Sequence, residues 1–241
     1  MPQAPSSQAP ALQAPAPPIA NAQAFTRRAG VGLALLLAAL APLAVALPPA
    51  LAETGPQITF EVPEADSVPL EEGAAAFERI YEVASHPRCA NCHVGADNRP
   101  MWSGPSYGQA RPHGMNITAG ESRIGAETLL CSTCHRTNGD FGTDPHAPPR
   151  AGLDWRLPPV AFQWFDRSAA QICAQLSDPA RTGGRDWVGL AEHLTEDAGH
   201  RGFVLWGWNP GGSRDPAPYS LEAHVQDILT WGAAGQPCPP E

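Results

Sequence analysis

The chain has 241 residues with 15 basic and 24 acidic side chains, and every basic residue is Arg. A net charge of −9 without a cluster of cations argues against nucleic-acid binding, because grouped positive charges are needed to hold the phosphate backbone. The 28 Pro and 23 Gly residues disfavour a coiled coil or long regular sheets, so loops carry much of the fold. A hydrophobic content of 43% nevertheless indicates a globular core.

The N-terminal segment predicts a secretion leader. A low-complexity stretch rich in Pro, Ala and Gln is followed by two arginines and an apolar run over residues 29–47. The small-x-small sequence at residues 50–52 suits signal peptidase, so we expect residues 1–52 to be removed and residues 53–241 to form one exported, periplasmic domain. The alternative is an uncleaved membrane anchor over residues 29–47, because that run is long enough to cross a bilayer.

The first predicted helix starts at Leu70, has apolar residues three and four positions apart, and runs into a C-x-x-C-H motif. This motif, formed by Cys89, Cys92 and His93, is the attachment signature of c-type haem. Two thiols three positions apart can reach the two vinyl groups of one porphyrin, and the following His can ligate the iron from the proximal side. The preceding His86 is expected to cap the end of a helix.

The segment from Gly95 to Gly125 is predicted to be a loop that supplies distal haem ligands. The distal ligand decides whether small molecules can reach the iron. His113 is the preferred candidate, because it lies between a Pro and a Gly that hold it at a loop apex. Met101 and Met115, in the same stretch, are alternatives.

A second C-x-x-C-H motif, Cys131, Cys134 and His135, is expected at the end of a short helix over residues 126–135. Two such motifs predict two covalently bound haem c groups. A redox dithiol needs no following His, a zinc ribbon usually has a shorter spacing between its cysteine pairs, and plain disulfides remain a third possibility. The export signal and the His after each cysteine pair favour haem.

A Pro-rich connector follows over residues 145–159, and its His146 is a candidate distal ligand for the second haem. The connector ends at an aromatic patch over residues 160–165. This patch either packs on a porphyrin or belongs to an ordinary core, and the sequence does not separate the two.

The helix predicted over residues 168–176, capped by Asp166 or Ser168, carries Cys173. Cys173 and Cys238 remain when the two motifs are set aside, and an even pair in an exported chain most simply forms a disulfide. A cysteine acting as a haem ligand is the alternative.

Two more helices are predicted, over residues 185–196 and 219–231. His193, on the first of them, is the other candidate distal ligand for the second haem, since a helix offers its imidazole rigidly. His200 and His224 are expected at the surface. The closing helix should turn Leu221, Val225, Ile228 and Leu229 inward. The predicted fold is mainly α and loop-rich, a cytochrome c-like dihaem unit with little or no sheet.

The chain resembles a family of small dihaem c-type cytochromes associated with molybdenum hydroxylases, the isoquinoline 1-oxidoreductase subunit-like family. The resemblance rests on both haem motifs and on segments 111–115, 155–159, 172–173, 178–185, 206–211 and 235–239. It covers nearly all of residues 53–241. The family pattern has a Met where this chain reads Ala161-Phe162-Gln163-Trp164, and this difference favours His193 as a ligand.

The resemblance implies an electron carrier whose donor is a molybdenum-containing dehydrogenase and whose acceptor is a downstream redox protein of the respiratory chain. The chain has no molybdopterin site, flavin fingerprint or ferredoxin-type cysteine run, so the substrate is expected to be oxidised on the partner. The alternative function is a catalytic dihaem enzyme of the peroxidase or thiosulfate dehydrogenase type, which requires an iron with an open or displaceable ligand position.

Overall fold

The computed structural model describes residues 55–103, 109–135, 156–211 and 214–241, all within one compact unit. The predicted leader over residues 1–52 and the candidate ligand His146 lie outside the described residues. The described part is mostly helical, with a single ladder of two short strands, so the prediction of a mainly α, loop-rich fold is confirmed. None of the helices in this part of the chain is long and apolar enough to cross a membrane.

The described elements are five α-helices, two strands and several 3-10 turns. The helices are α1 (Leu70–Ser85), α2 (Pro87–Ala90), α3 (Ala169–Leu176), α4 (Trp187–Gly199) and α5 (Leu221–Ala233). Strand β1 (Met101–Trp102) pairs antiparallel with β2 (Arg111–Pro112). The 3-10 turns are Gly114–Asn116, Cys131–Thr133, Val160–Phe162 and Val204–Gly207.

Local side chains fix where three of the helices begin. Ser168 and Gln171 form a capping box at α3, in which each side chain accepts a hydrogen bond from the other residue's backbone N–H. The side chain of Asp186 caps α4, and that of Ser220 caps α5. These caps satisfy backbone N–H groups that the first helical turn leaves without partners.

The core forms where α1 packs against α5. The rings of Phe77 and Trp231 lie 5.6 Å apart and both side chains are fully buried. At the edge of this contact, Arg79 donates to both carboxylate oxygens of Asp227 at 3.0 Å. The predicted inward residues of α5 are all buried: Leu221, Val225, Ile228 and Leu229. Helix α4 also packs on α5 and completes the core.

Gly73 sets how closely α1 approaches the end of α5. A Cβ atom at this position would lie 2.2 Å from the Cβ of Ala234, which is itself buried. We therefore expect Gly73→Ala to lower the free energy of unfolding by about 1–3 kcal/mol, because overpacking outweighs the gain in helix propensity. Gly189→Ala in α4 is the matched control, since its Cβ would meet nothing closer than 3.2 Å. Urea denaturation that shows equal effects for the two substitutions would contradict this packing argument.

A disulfide ties α3 to the C-terminal segment. Cys173 and Cys238 are bonded, with their Cα atoms 5.6 Å apart. Cys173 is fully buried in the core formed by α1, α3, α4 and α5. The bond therefore anchors the chain end after α5 to the middle of the fold.

The helix predicted over residues 126–135 is wrong, because only the 3-10 turn Cys131–Thr133 forms there. The neighbouring Leu129 and Leu130 are 41% and 49% exposed, so these two apolar side chains are only partly packed against the rest of the described chain. A short segment with so little tertiary packing does not repay the cost of helix nucleation.

Candidate functional site

The first C-x-x-C-H motif opens onto a cavity of about 420 Å³. Helix α1 leads into α2, which carries Cys89, and the next turn places Cys92 and His93 on the same wall. Burial raises the pKa of each of these two thiols to about 12. The other walls come from α1, α3, α4 and α5 through Ile80, Val83, Leu176, Leu190, Ile228 and Trp231.

His93 is held in one orientation by its neighbours. Its Nδ1 lies 2.9 Å from the carbonyl oxygen of Phe162, and its ring stacks on Trp164 with centroids 3.5 Å apart. Burial lowers the pKa of His93 to about 3, so the imidazole is neutral and the Nδ1–H donates to Phe162. This leaves Nε2 free of the proton and suited to ligate a metal. The aromatic patch over residues 160–165, which the sequence left open between porphyrin packing and an ordinary core, thus holds the ring of His93.

Every charged side chain in the wall of this cavity is an arginine, among the residues that the structure describes. Four arginines take part: Arg88, Arg156, Arg181 and Arg185. Arg88 also lies over the ring of Trp206 at 4.9 Å, and its Nε donates to the carbonyl oxygen of Asp215 at 2.7 Å. An apolar interior with an arginine-only set of charges suits a flat apolar ligand that carries carboxylates.

Trp164, Trp208 and His224 line the cavity, but their atoms Nε1, Nε1 and Nδ1 are fully buried and have no hydrogen-bond partner in the described chain. These atoms lie behind the cavity surface, so a ligand in the cavity would not contact them. The thiols, His93 and the arginines are the groups that would hold a haem c and its two propionates.

The structure places two candidate distal ligands at different motifs. His193, predicted for the second haem, lines the cavity of the first motif. The residue is exposed on one side, and partial burial lowers its pKa, with Arg185 acting in the same direction. His113, which the sequence did not assign to either haem, lies beside His135 of the second motif.

The expectation that His224 is a surface residue is wrong. It is only 7% exposed, lines the same cavity as His93, and burial lowers its pKa to about 4. Its position in the sequence contained the signal, because it lies three residues after Leu221 and four before Ile228 and so shares their inward face. His200 is exposed, as expected.

At the second motif the rings of His113 and His135 have centroids 6.1 Å apart. The β1–β2 ladder delivers His113, whose backbone N–H donates to the carbonyl oxygen of Pro100 at 2.8 Å. Cys131 is half-buried and Cys134 is exposed, so this motif is more open than the first. The two imidazoles are close enough for both to be candidate ligands of one haem iron at this motif.

The two methionines lie in different surroundings. Met101 packs against a small cluster formed by Val94, Ala119 and Leu157, whereas Met115 is 79% exposed. The same cluster touches Cys92 of the first motif and Cys131 of the second. The two attachment motifs therefore share one apolar support.

Comparison with models of known protein families gave no match, and comparisons with curated proteins and with solved structures gave none either. Within the described residues, no three His, Cys, Asp or Glu side chains are grouped so that they could hold a bare metal ion. The function of the site is therefore inferred from its own residues.

Proposed function

We propose that the chain is an exported dihaem c-type cytochrome that passes single electrons from a molybdenum-containing dehydrogenase to a downstream redox protein of the respiratory chain. The proposal depends chiefly on one observation: the thiols of Cys89 and Cys92 and the oriented imidazole of His93 share an apolar cavity in which all the described charged groups are arginines. When bound, each haem supplies one-electron iron chemistry.

Different residues of the chain hold different parts of each haem group. The two thiols of each motif form the covalent links, and the His that follows them binds iron from the proximal side. The carbonyl oxygen of Phe162 fixes the tautomer of His93. The arginines pair with the propionates, and the aromatic walls exclude water, which favours reversible electron transfer.

The donor and the acceptor are proposed from the family resemblance and from the charge. The net charge of −9 becomes more negative once the leader is removed, because residues 1–52 contain two arginines and no acidic residue. An acidic surface steers a partner that carries a basic patch. Such a partner, with its own molybdenum centre, would perform the two-electron oxidation of the substrate.

Intact mass measurement of the exported protein tests haem attachment directly. We expect a mass equal to residues 53–241 plus two haem groups, and a red colour that survives acid–acetone extraction because the thioether links are covalent. A mass without both groups, or colour lost to the solvent, would reject the proposal. Alanine substitution of Cys131 and Cys134 together should remove one haem and leave the other.

Electron paramagnetic resonance and CO binding separate a carrier from a catalytic dihaem enzyme. Two low-spin irons that do not bind CO after reduction support the carrier. A high-spin iron that binds CO indicates an open ligand position, as a peroxidase or thiosulfate dehydrogenase requires.

His113 is expected to be the distal ligand of the second haem. His113→Ala should convert that haem, about half of the absorbing iron in the protein, from low to high spin, because the iron loses one of two axial ligands. Met115→Ala, two positions away and largely exposed, should leave the spectrum unchanged. A shift with Met115→Ala and none with His113→Ala would transfer the assignment to the methionine.

A further inference from the structure

Arg123 is a buried cation next to the first C-x-x-C-H motif, and no hydrophobic periodicity around it indicates that it is buried. Arg123 is only 8% exposed. The guanidinium donates to the carbonyl oxygen of Gly95 at 3.1 Å, to that of Val94 at 3.2 Å and to Oδ1 of Asn98 at 2.6 Å. It also donates to the carbonyl oxygen of Pro158. These four contacts of Arg123 join the loop after His93 to Pro158, near the end of the Pro-rich connector over residues 145–159.

All four acceptors are uncharged, so they pair with the Nη1 and Nη2 groups of Arg123 without neutralising its charge, while the buried Nε has no hydrogen-bond partner in the described chain. Arg79 and Arg181, by contrast, form ion pairs with Asp227 and Asp178. Asp97 is the carboxylate whose field acts on Arg123, and it is exposed to solvent. Burial lowers the pKa of Arg123, but a guanidinium stays protonated in proteins.

The charge of Arg123 lies near the wall of the cavity that carries His93. Val94 and Gly95, whose carbonyls hold Arg123, directly follow His93. These contacts place a fixed positive charge beside the backbone that carries His93. Such a charge would oppose the ferric state of an iron bound to His93, because that state carries one more positive charge than the ferrous state.

We propose that Arg123 is a positioning residue that fixes the loop after His93 and raises the reduction potential of the haem attached through Cys89 and Cys92. This inference rests on the proposed function, since it requires a haem at that motif. The second haem serves as an internal reference.

The test is a redox titration of the haem-loaded protein carrying Arg123→Gln or Arg123→Lys. Arg123→Gln should change the one-electron equilibrium constant of one haem tenfold. This change lowers the midpoint potential of that haem by about 59 mV. Arg123→Lys keeps the charge and should retain most of the potential while losing part of the contact set. Arg99→Gln is the matched control, because it removes the same charge from the same loop at a less buried position, where solvent screens it.

Three results would overturn the inference: unchanged potentials in Arg123→Gln, equal decreases in Arg123→Gln and Arg123→Lys, or an equal decrease in Arg99→Gln. If Arg123→Gln fails to attach haem at the first motif, Asn98→Asp decides the matter, since it keeps the oxygen that accepts from Arg123 at 2.6 Å and adds a negative charge beside the guanidinium. Neutralising the charge of Arg123 in this way should lower the same midpoint, and an unchanged value rejects the inference. Intact mass keeps the proposals separate, because a wild-type protein without haem would reject the proposed function itself.

Discussion

His193→Ala should make the haem at the first motif high-spin and able to bind CO after reduction. His193 lines the cavity that contains Cys89, Cys92 and His93, and the residue is exposed, so its side chain is not locked into the core. Helix α4 holds it rigidly. Loss of this ligand should change about half of the haem absorbance, because the second haem keeps both of its own ligands.

His224 provides the sharpest comparison for this prediction, because it lines the same cavity. Its Nδ1 is buried and has no partner among the described groups, and its ring lies 5.4 Å from that of Trp208. We expect His224→Ala to lower stability by leaving a void while both irons stay low-spin. His200→Ala should change neither property. A high-spin signal in His224→Ala but not in His193→Ala would identify His224 as the ligand.

Removal of the Cys173–Cys238 disulfide should lower the free energy of unfolding by about 4 kcal/mol. The bond closes a loop with a sequence separation of 65, and cross-linking a loop of that length restricts the unfolded chain by roughly this amount. For a chain of this size the loss corresponds to a fall in Tm of about 10 °C. Thermal denaturation of the haem-loaded double variant, with both cysteines changed to alanine, measures the effect.

Reduction of the wild-type protein is the control for this substitution. A reductant breaks the disulfide and leaves thioether links intact, so the reduced wild type and the double variant should unfold at similar temperatures. Labelling should then detect two new thiols per chain. If the double variant unfolds at the wild-type temperature, the disulfide does not stabilise the fold in the way proposed.

The helices could be predicted because their signals are local. In α3 the capping box of Ser168 and Gln171 marks the start, and in α5 the spacing of Leu221, Val225 and Ile228 marks the buried face. Residues 126–135 had a similar pattern and formed no helix, because no neighbouring element in the described chain covers Leu129 and Leu130. Helix propensity leads to a stable short helix only where tertiary packing supports that helix.

The sequence alone determined the two C-x-x-C-H motifs, the mainly α character of the chain and the cysteine pair left for a disulfide, because each depends on residue type and short spacing. The tertiary structure alone decided that His193 faces the first motif, that His113 meets His135 and that Arg123 is buried beside His93. The walls of the cavity come from segments more than a hundred residues apart. Only the packing of α1, α4 and α5 determines which of their side chains share a space, and no local pattern encodes that choice.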